Sequence, residues 1–215
     1  MQSAWRSDMS LPKLDYVVIG SGSSGNAVRI WDIMVDCGLA YARLKDELPK
    51  CKILFITHIH SDHLNMRTYQ QIKAHYPGIK VFGNREVAAK IDVDYLVTAE
   101  PFTFRKQWVL TPFEVPHNVL THGFTLHTKN GADAIYVADS AGTRTWPDEQ
   151  FDYMFIESNH DETIVNQVKN ADYGYDVFQN AKRHTSKQES RQYFYTHRKT
   201  VEAEWIQLHK SKRFY

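Results

Sequence analysis

Seven residues, Thr57-His58-Ile59-His60-Ser61-Asp62-His63, constrain this chain more than any other stretch. They follow directly on Ile53-Leu54-Phe55-Ile56, an apolar run with the length and composition of a buried strand. Side chains alternate along an extended backbone, so His58 and His60 point to one side and can close on one metal ion. Asp62 and His63 come after the chain has begun to turn and can face a second ion nearby. Imidazole nitrogens with a carboxylate suit zinc, and also manganese or iron. A polar loop that happens to be rich in histidine is the plain alternative. Three histidines and an aspartate between positions 58 and 63, at a strand end, weigh against it.

A chain of 215 residues can bury a sizeable core but is short for two ordinary domains, so 1–215 reads as a single domain. The net charge of +1 argues against coating nucleic acid by bulk electrostatics and leaves room for a local basic patch. Cys37 and Cys51 sit among apolar residues and read as reduced core thiols rather than a disulfide. Residues 1–11 are polar, with Arg6 and Asp8, unlike a signal peptide. No apolar run approaches the roughly 20 residues of a membrane span. The expectation is a soluble cytoplasmic protein with no membrane partner.

Residues 14–19 form an apolar run ending in Gly20-Ser21-Gly22-Ser23-Ser24-Gly25-Asn26. This segment lacks the Lys-Ser/Thr of a phosphate-binding P-loop, and no long amphipathic helix follows, so it reads as a tight strand-to-strand turn. Strands are expected at 27–31 and 33–35 about a turn at Asp32, with a short helix over 39–48 ended by Pro49. The spacing of Met66, Tyr69 and Ile72 predicts a helix over 66–75, ending at Pro77-Gly78 with His75 as a surface cap. A strand at 79–82 and a short helix at 85–91 come next. Short strands are expected at 95–97, 102–104, 108–115 and 124–128, then 134–138 beyond the hairpin signal Asn130-Gly131, and 151–156. From Asp161 onward the pattern reads as polar and helical to the end. Periodicity alone therefore gives a mixed α and β domain.

His58-x-His60-x-Asp62-His63 resembles the signature of the metallo-β-lactamase-fold hydrolases, and later motifs follow in that family's order. Asp36-Cys37-Gly38 resembles its Asp-x-Gly, whose aspartate steadies the metal loop. Val115-Pro116-His117 resembles its next histidine motif. His122, in a loop, and His127, within a strand, compete less well, and Asn118 stands where many relatives carry Asp. Asp139, after the run Tyr136-Val137-Ala138, resembles the bridging carboxylate, where β-lactam-opening members have cysteine nearby. Arg183-His184-Thr185-Ser186 resembles the late His-x-Ser motif. His160, in Glu157-Ser158-Asn159-His160, is the rival and is expected to be a pocket residue that meets substrate. His197 and His209 are expected at the surface of polar helices.

The resemblance implies an α/β chain folded as an αββα sandwich, two packed mixed β-sheets flanked by helices. It implies two divalent ions, Zn2+ first and Mn2+ second. His58, His60 and His117 would hold one, Asp62, His63 and His184 the other, and Asp139 both. A hydroxide bridging the ions would attack a phosphodiester, with Asp62 orienting it. The spacing from Asp139 to His184 leaves no room for the extra domain of the RNase J and cleavage-factor type. The hairpin between His117 and Asp139 leaves none for the tRNA-gripping arm of RNase Z. What remains resembles small exonuclease-like proteins of the WalJ/YycJ type and phage-type enzymes that destroy cyclic nucleotides. Nucleic acid is the expected substrate, with a cyclic nucleotide as the alternative and a lactonase or thioesterase activity further off. In the exonuclease-like members a Ser-Gly-Ser-x-Gly-Asn segment lies at the site rim, which implies substrate contacts for Ser21, Ser23, Ser24 and Asn26. Lys187 and Arg191, one helical turn apart after His184, are expected to meet phosphate, with a merely solvated helix face as the alternative. Trp205 and Leu208 read as packing on the body of the protein or on a second copy of it, as in a homodimer.

Overall fold

The apolar runs at 27–30, 33–35, 53–56 and 153–157 become strands buried on both faces. The computed structural model describes residues 11–168 and 176–215. The polar 1–11 stretch therefore lies outside the described residues, except for Leu11. One six-stranded sheet runs in sequence order through β1 (Tyr16–Gly20), β2 (Ala27–Ile30), β3 (Ile33–Val35), β4 (Ile53–Ile56), β5 (Lys80–Gly83) and β6 (Tyr95–Leu96). The second holds β7 (Phe102–Phe104), β8 (Trp108–Val115), β9 (Thr121–Thr128), β10 (Asp133–Val137), β11 (Tyr153–Glu157) and β12 (Glu204–Leu208), with β12 and β7 at its edges. Both sheets are mixed. In the first, β3 to β6 are parallel neighbours; in the second, β10, β11 and β12 are.

Strict alternation explains the layers. Ile53 and Phe55 of β4 face the core between the sheets, while Leu54 and Ile56 face outward onto α1 (Tyr41–Leu44), α2 (Met66–His75) and α3 (Arg85–Ala88). In the second sheet, Tyr153 and Phe155 of β11 enter the same central core. Met154 and Ile156 pack outward with Tyr193 and Phe194 of α6 (Lys187–His197). Helices α4 (Glu162–Gln167) and α5 (Val177–Ala181) add a small apolar cluster with Phe214. A helix layer on each outer face makes this the expected αββα sandwich. No helix of the described residues is long and apolar enough to cross a membrane.

Two glycines answer local backbone demands, the first of them beside the site. A Cβ on Gly38 would lie 1.7 Å from the Asp62 carbonyl oxygen, so only glycine lets the β3 exit lie against the metal loop. Asn130-Gly131 makes the expected hairpin, with Gly131 at φ 84°.

Three expectations need correction. Residues 204–208 are not helical: they form β12, paired in parallel with β11 from Tyr153↔Glu204 to Glu157↔Leu208. The flanking charges imitate a helix, but the hydrogen bonds come from a strand about 50 residues earlier, which a local pattern cannot reveal. The 39–48 helix is cut to Tyr41–Leu44, followed by a 3-10 turn at Leu48–Lys50, where Pro49 removes a donor. His122 lies within β9 rather than in a loop, and it is buried.

Candidate metal centre

Parallel pairing brings the chemistry to one edge, because the exits of parallel strands lie side by side. Val35 pairs with Phe55, so Asp36 and the loop from Thr57 to His63 leave the first sheet together. Val137 pairs with Ile156, and Glu157 with Leu208, so Asp139, Glu157 and His209 emerge in line from the second sheet. His117 follows the end of β8 and faces them. Asp36, Asp139 and His209 have φ of 61°, 55° and 53°, left-handed backbone that aspartate and histidine tolerate better than most residues.

One donor group is His58, His60, His117 and Asp139. His58 Nε2 lies 3.0 Å from His60 Nδ1, which is 3.4 Å from His117 Nε2. Asp139 Oδ2 is 3.4 Å from His58 Nε2 and 3.9 Å from His117 Nε2. A second group is Asp62, His63, Asp139 and His209. Asp62 Oδ2 is 3.8 Å from His63 Nε2 and 3.9 Å from His209 Nε2, and Asp139 Oδ2 is 3.2 Å from His63 Nε2. Asp139 thus faces both groups.

Other carboxylates hold these rings. Asp36 accepts from the Thr57 amide and hydroxyl and lies 2.7 Å from His63 Nδ1. Glu157 accepts from the Ser140 and Thr185 amides. Its Oε1 stands 2.7 Å from His184 Nδ1 and 3.1 Å from His209 Nδ1. Ser186 caps α6 in a reciprocal pair with Glu189, the Ser-x-x-Glu pattern visible in the sequence, and this fixes the turn that carries His184.

Burial and charge compete throughout. Burial pulls His63 down, but the Asp36 and Asp139 carboxylates outweigh it and push it up to about 10. His209 is likewise driven well up by Asp139, Asp62 and Glu157 against burial. Burial brings His117 down to about 4, which leaves its ring neutral. Burial raises Glu157, but His184 and His209 carry it down to about 2. Asp139 is held well below the usual carboxylate range by His209 and His63. A nest of buried carboxylates that draws protons onto histidines is an environment that asks for cations.

The structure places the remaining expected site residues as follows. His209, expected at the surface, is buried beside Asp62 and His63. His184, expected there, instead gives Nδ1 to Glu157 and lies 3.8 Å from Asp139 Oδ1. It shares a separate donor group with Asp139, Glu157 and His209. His160 is buried, and its Nδ1 has no partner among the described residues. Ser21 accepts from the His209 amide at 2.7 Å, and the Asn26 amide lies 2.8 Å from His63 Nε2, so both brace the centre. Ser23 lines a cavity beside His184 and His209; Ser24 is exposed. Lys187 pairs with Asp161 at 3.7 Å, and Arg191 lies over the Tyr195 ring. Trp205 stacks on Phe194 and Leu208 is fully buried, so both pack on the body. His209 ends the mixed run Trp205-Ile206-Gln207-Leu208, which reads as helix as readily as strand, so nothing in the sequence marked it as a site residue before the pairing with β11 was known.

No protein-family model matches this chain, and no curated protein is significantly similar to it in sequence. Solved structures are similar in fold. Human tRNase Z, short form, superposes with a TM-score of 0.69 at 16% identity, over 92% of this chain and 93% of that one. The metallo-β-lactamase fold protein YhfI from Bacillus subtilis gives 0.65 at 18% identity, over 92% and 86%. A diphosphatase of the PhnP family gives 0.64 at 14%, over 93% and 87%. With two mixed six-stranded sheets between helix layers and its histidines at the strand exits, this chain has the metallo-β-lactamase fold.

Proposed function

We propose that this protein is a two-metal phosphodiesterase acting on nucleic acid. The observation that carries the reading is the convergence of two donor groups on the shared carboxylate of Asp139. Their fit to cations rests on the donors themselves. His209 Nε2 and Asp139 Oδ1 are buried without a hydrogen-bond partner among the described residues, although His209 Nδ1 approaches that oxygen to 2.9 Å. Buried polar atoms left this way normally have a ligand to meet. His58, His60 and His117 would hold one ion, Asp62, His63 and His209 the other, and Asp139 both; imidazole with carboxylate suits zinc, with manganese second. Such a pair of ions supplies an acidified water and neutralises charge on a phosphoryl oxygen. Asp62, only half-buried, orients the attacking water. His184 has Nδ1 fixed on Glu157, which leaves Nε2 to pass a proton to the departing oxygen, with His160 beside it. Two of the similar structures are a tRNase and a diphosphatase, which supports phosphate chemistry. The two buried free cysteines fit a reducing, cytoplasmic setting.

The test is metal analysis and turnover of the same preparation. Protein purified without chelator should carry about two equivalents of metal. It should hydrolyse bis-p-nitrophenyl phosphate and short single-stranded DNA or RNA ahead of a cyclic mononucleotide or a lactone. A fully occupied preparation with one ion, or one that prefers the lactone, would refute the reading.

A further inference from the structure

Two cavities meet at His160 and His184, and their charges are opposite. One, of about 190 Å³, is lined by Lys210 and Lys212 together with Ser23, Asn159, His184 and His209; no carboxylate lines it among the described residues. The other, of about 250 Å³, is lined by Glu162 and Glu189 against a single lysine, Lys182. Lys210 and Lys212 are exposed at the mouth of the basic cavity, and a tyrosine positions the first of them. Lys210 Nζ sits 4.7 Å from the centroid of the Tyr215 ring, and Lys187 Nζ sits 4.9 Å from that same ring. The ring is held in turn: its hydroxyl donates to Gln207 Oε1 and accepts from Ser158 Oγ. One further wall residue, His160, is more than nine-tenths buried and keeps its Nδ1 without a partner among the described residues. His209 touches both Asp139 and this cavity, so a group bound there is next to the reacting centre.

We infer that the Lys210–Lys212 cavity binds the phosphate adjacent to the scissile one, so that the substrate is a nucleotide chain and not a cyclic mononucleotide. The inference rests on the phosphodiesterase reading above. Ammonium groups against a wall that carries no carboxylate among the described residues attract a phosphate dianion or monoanion. The Glu162–Glu189 cavity repels one and suits a sugar or base that offers donors. The phosphate backbone therefore continues to one side of the cleaved bond only, which is the arrangement that removes residues from a strand end.

The experiment uses p-nitrophenyl diesters of thymidine phosphate, with and without a second phosphate on the other sugar hydroxyl, in both positional isomers. For one isomer the second phosphate should raise kcat/KM about tenfold in the wild-type protein. In Lys210→Gln/Lys212→Gln that ratio should fall to near one, and in Lys210→Arg/Lys212→Arg it should recover. Independently, fluorescence anisotropy of a short labelled single strand on chelator-treated protein should show about tenfold weaker binding for the Gln pair. The salt slope should drop by about 0.7, the contribution of one neutralised phosphate on a single strand. An unchanged ratio, or no preference in the wild type for either isomer, overturns the proposal, as does unaltered strand binding. If the wild type cleaves none of the diesters, the phosphodiesterase reading fails, while the binding measurement still decides whether the cavity holds phosphate.

Discussion

Glu157 Oε1 reaches both His184 Nδ1 and His209 Nδ1, so one buried carboxylate sets the tautomer and the tilt of two rings. What separates the two histidines is where Nε2 goes. That of His209 lies 3.9 Å from Asp62 Oδ2, inside the donor group with His63. The His184 ring lines both cavities, at the place where a substrate would pass. On the proposed function, His209→Ala should lower metal content from about two equivalents to about one, by elemental analysis. His184→Ala should retain both ions while kcat on bis-p-nitrophenyl phosphate falls roughly 10²–10⁴-fold, the range of a lost proton donor. Loss of an ion with His184→Ala and not with His209→Ala would reverse the two roles.

Strand β12 decides whether the second donor group exists. It lies at the sheet edge, held by its ladder to β11 and by Leu208, which is fully buried in the central core next to His209. The loop on the other side is held as closely: Asn26 accepts from the Gly38 amide and donates its own amide to the Asp62 carbonyl at 2.7 Å. Leu208→Ala removes three carbons from a packed site, at a cost of about 2–5 kcal/mol. It should lower the denaturant midpoint and also weaken one metal site more than the other, because His209 loses its neighbour's anchor. Chelator competition read by metal release will show whether the two effects travel together; equal weakening of both sites would mean that β12 acts only on global stability.

At the scale of the whole molecule, two sheets press their strand exits together and bury Asp36, Asp139 and Glu157 among histidines. Without metal, protons carry the compensating charge. His63 is raised from the ordinary 6.5 to about 10, so its contribution is complete below pH 6.5 and is lost as pH rises through about 10. His117 is lowered to about 4, so its contribution is present above pH 6.5 and is lost as pH falls through about 4. Glu157 adds a loss from pH 4.5 down through about 2. Chelator-treated protein should therefore be most stable near pH 6.5, with Tm falling on both sides. Bound metal replaces the protons, and its affinity rises as ligands deprotonate, so the gap in Tm between loaded and chelated protein should widen from pH 7 to 10. A constant gap over that range would contradict this account of the charge.

The sequence by itself determined the strands, the metal loop and the order of most donors. Those signals are local: an apolar run of alternating faces, ended by a turn that releases His58 to His63, His117 or Asp139, can be read within about ten residues. The helix over 66–75 was legible for the same reason. Only the tertiary structure decided that residues 204–208 are a strand, because their partners lie in β11 and nothing local favours one ladder over a helix. That single pairing moved His209 from an expected surface to the heart of the site and left His184 facing the cavities. The opposed charges of those cavities were likewise invisible along the chain. Lys210 and Lys212 look like a solvated tail until the fold sets them beside Ser23 and His160, residues that share no local pattern with them.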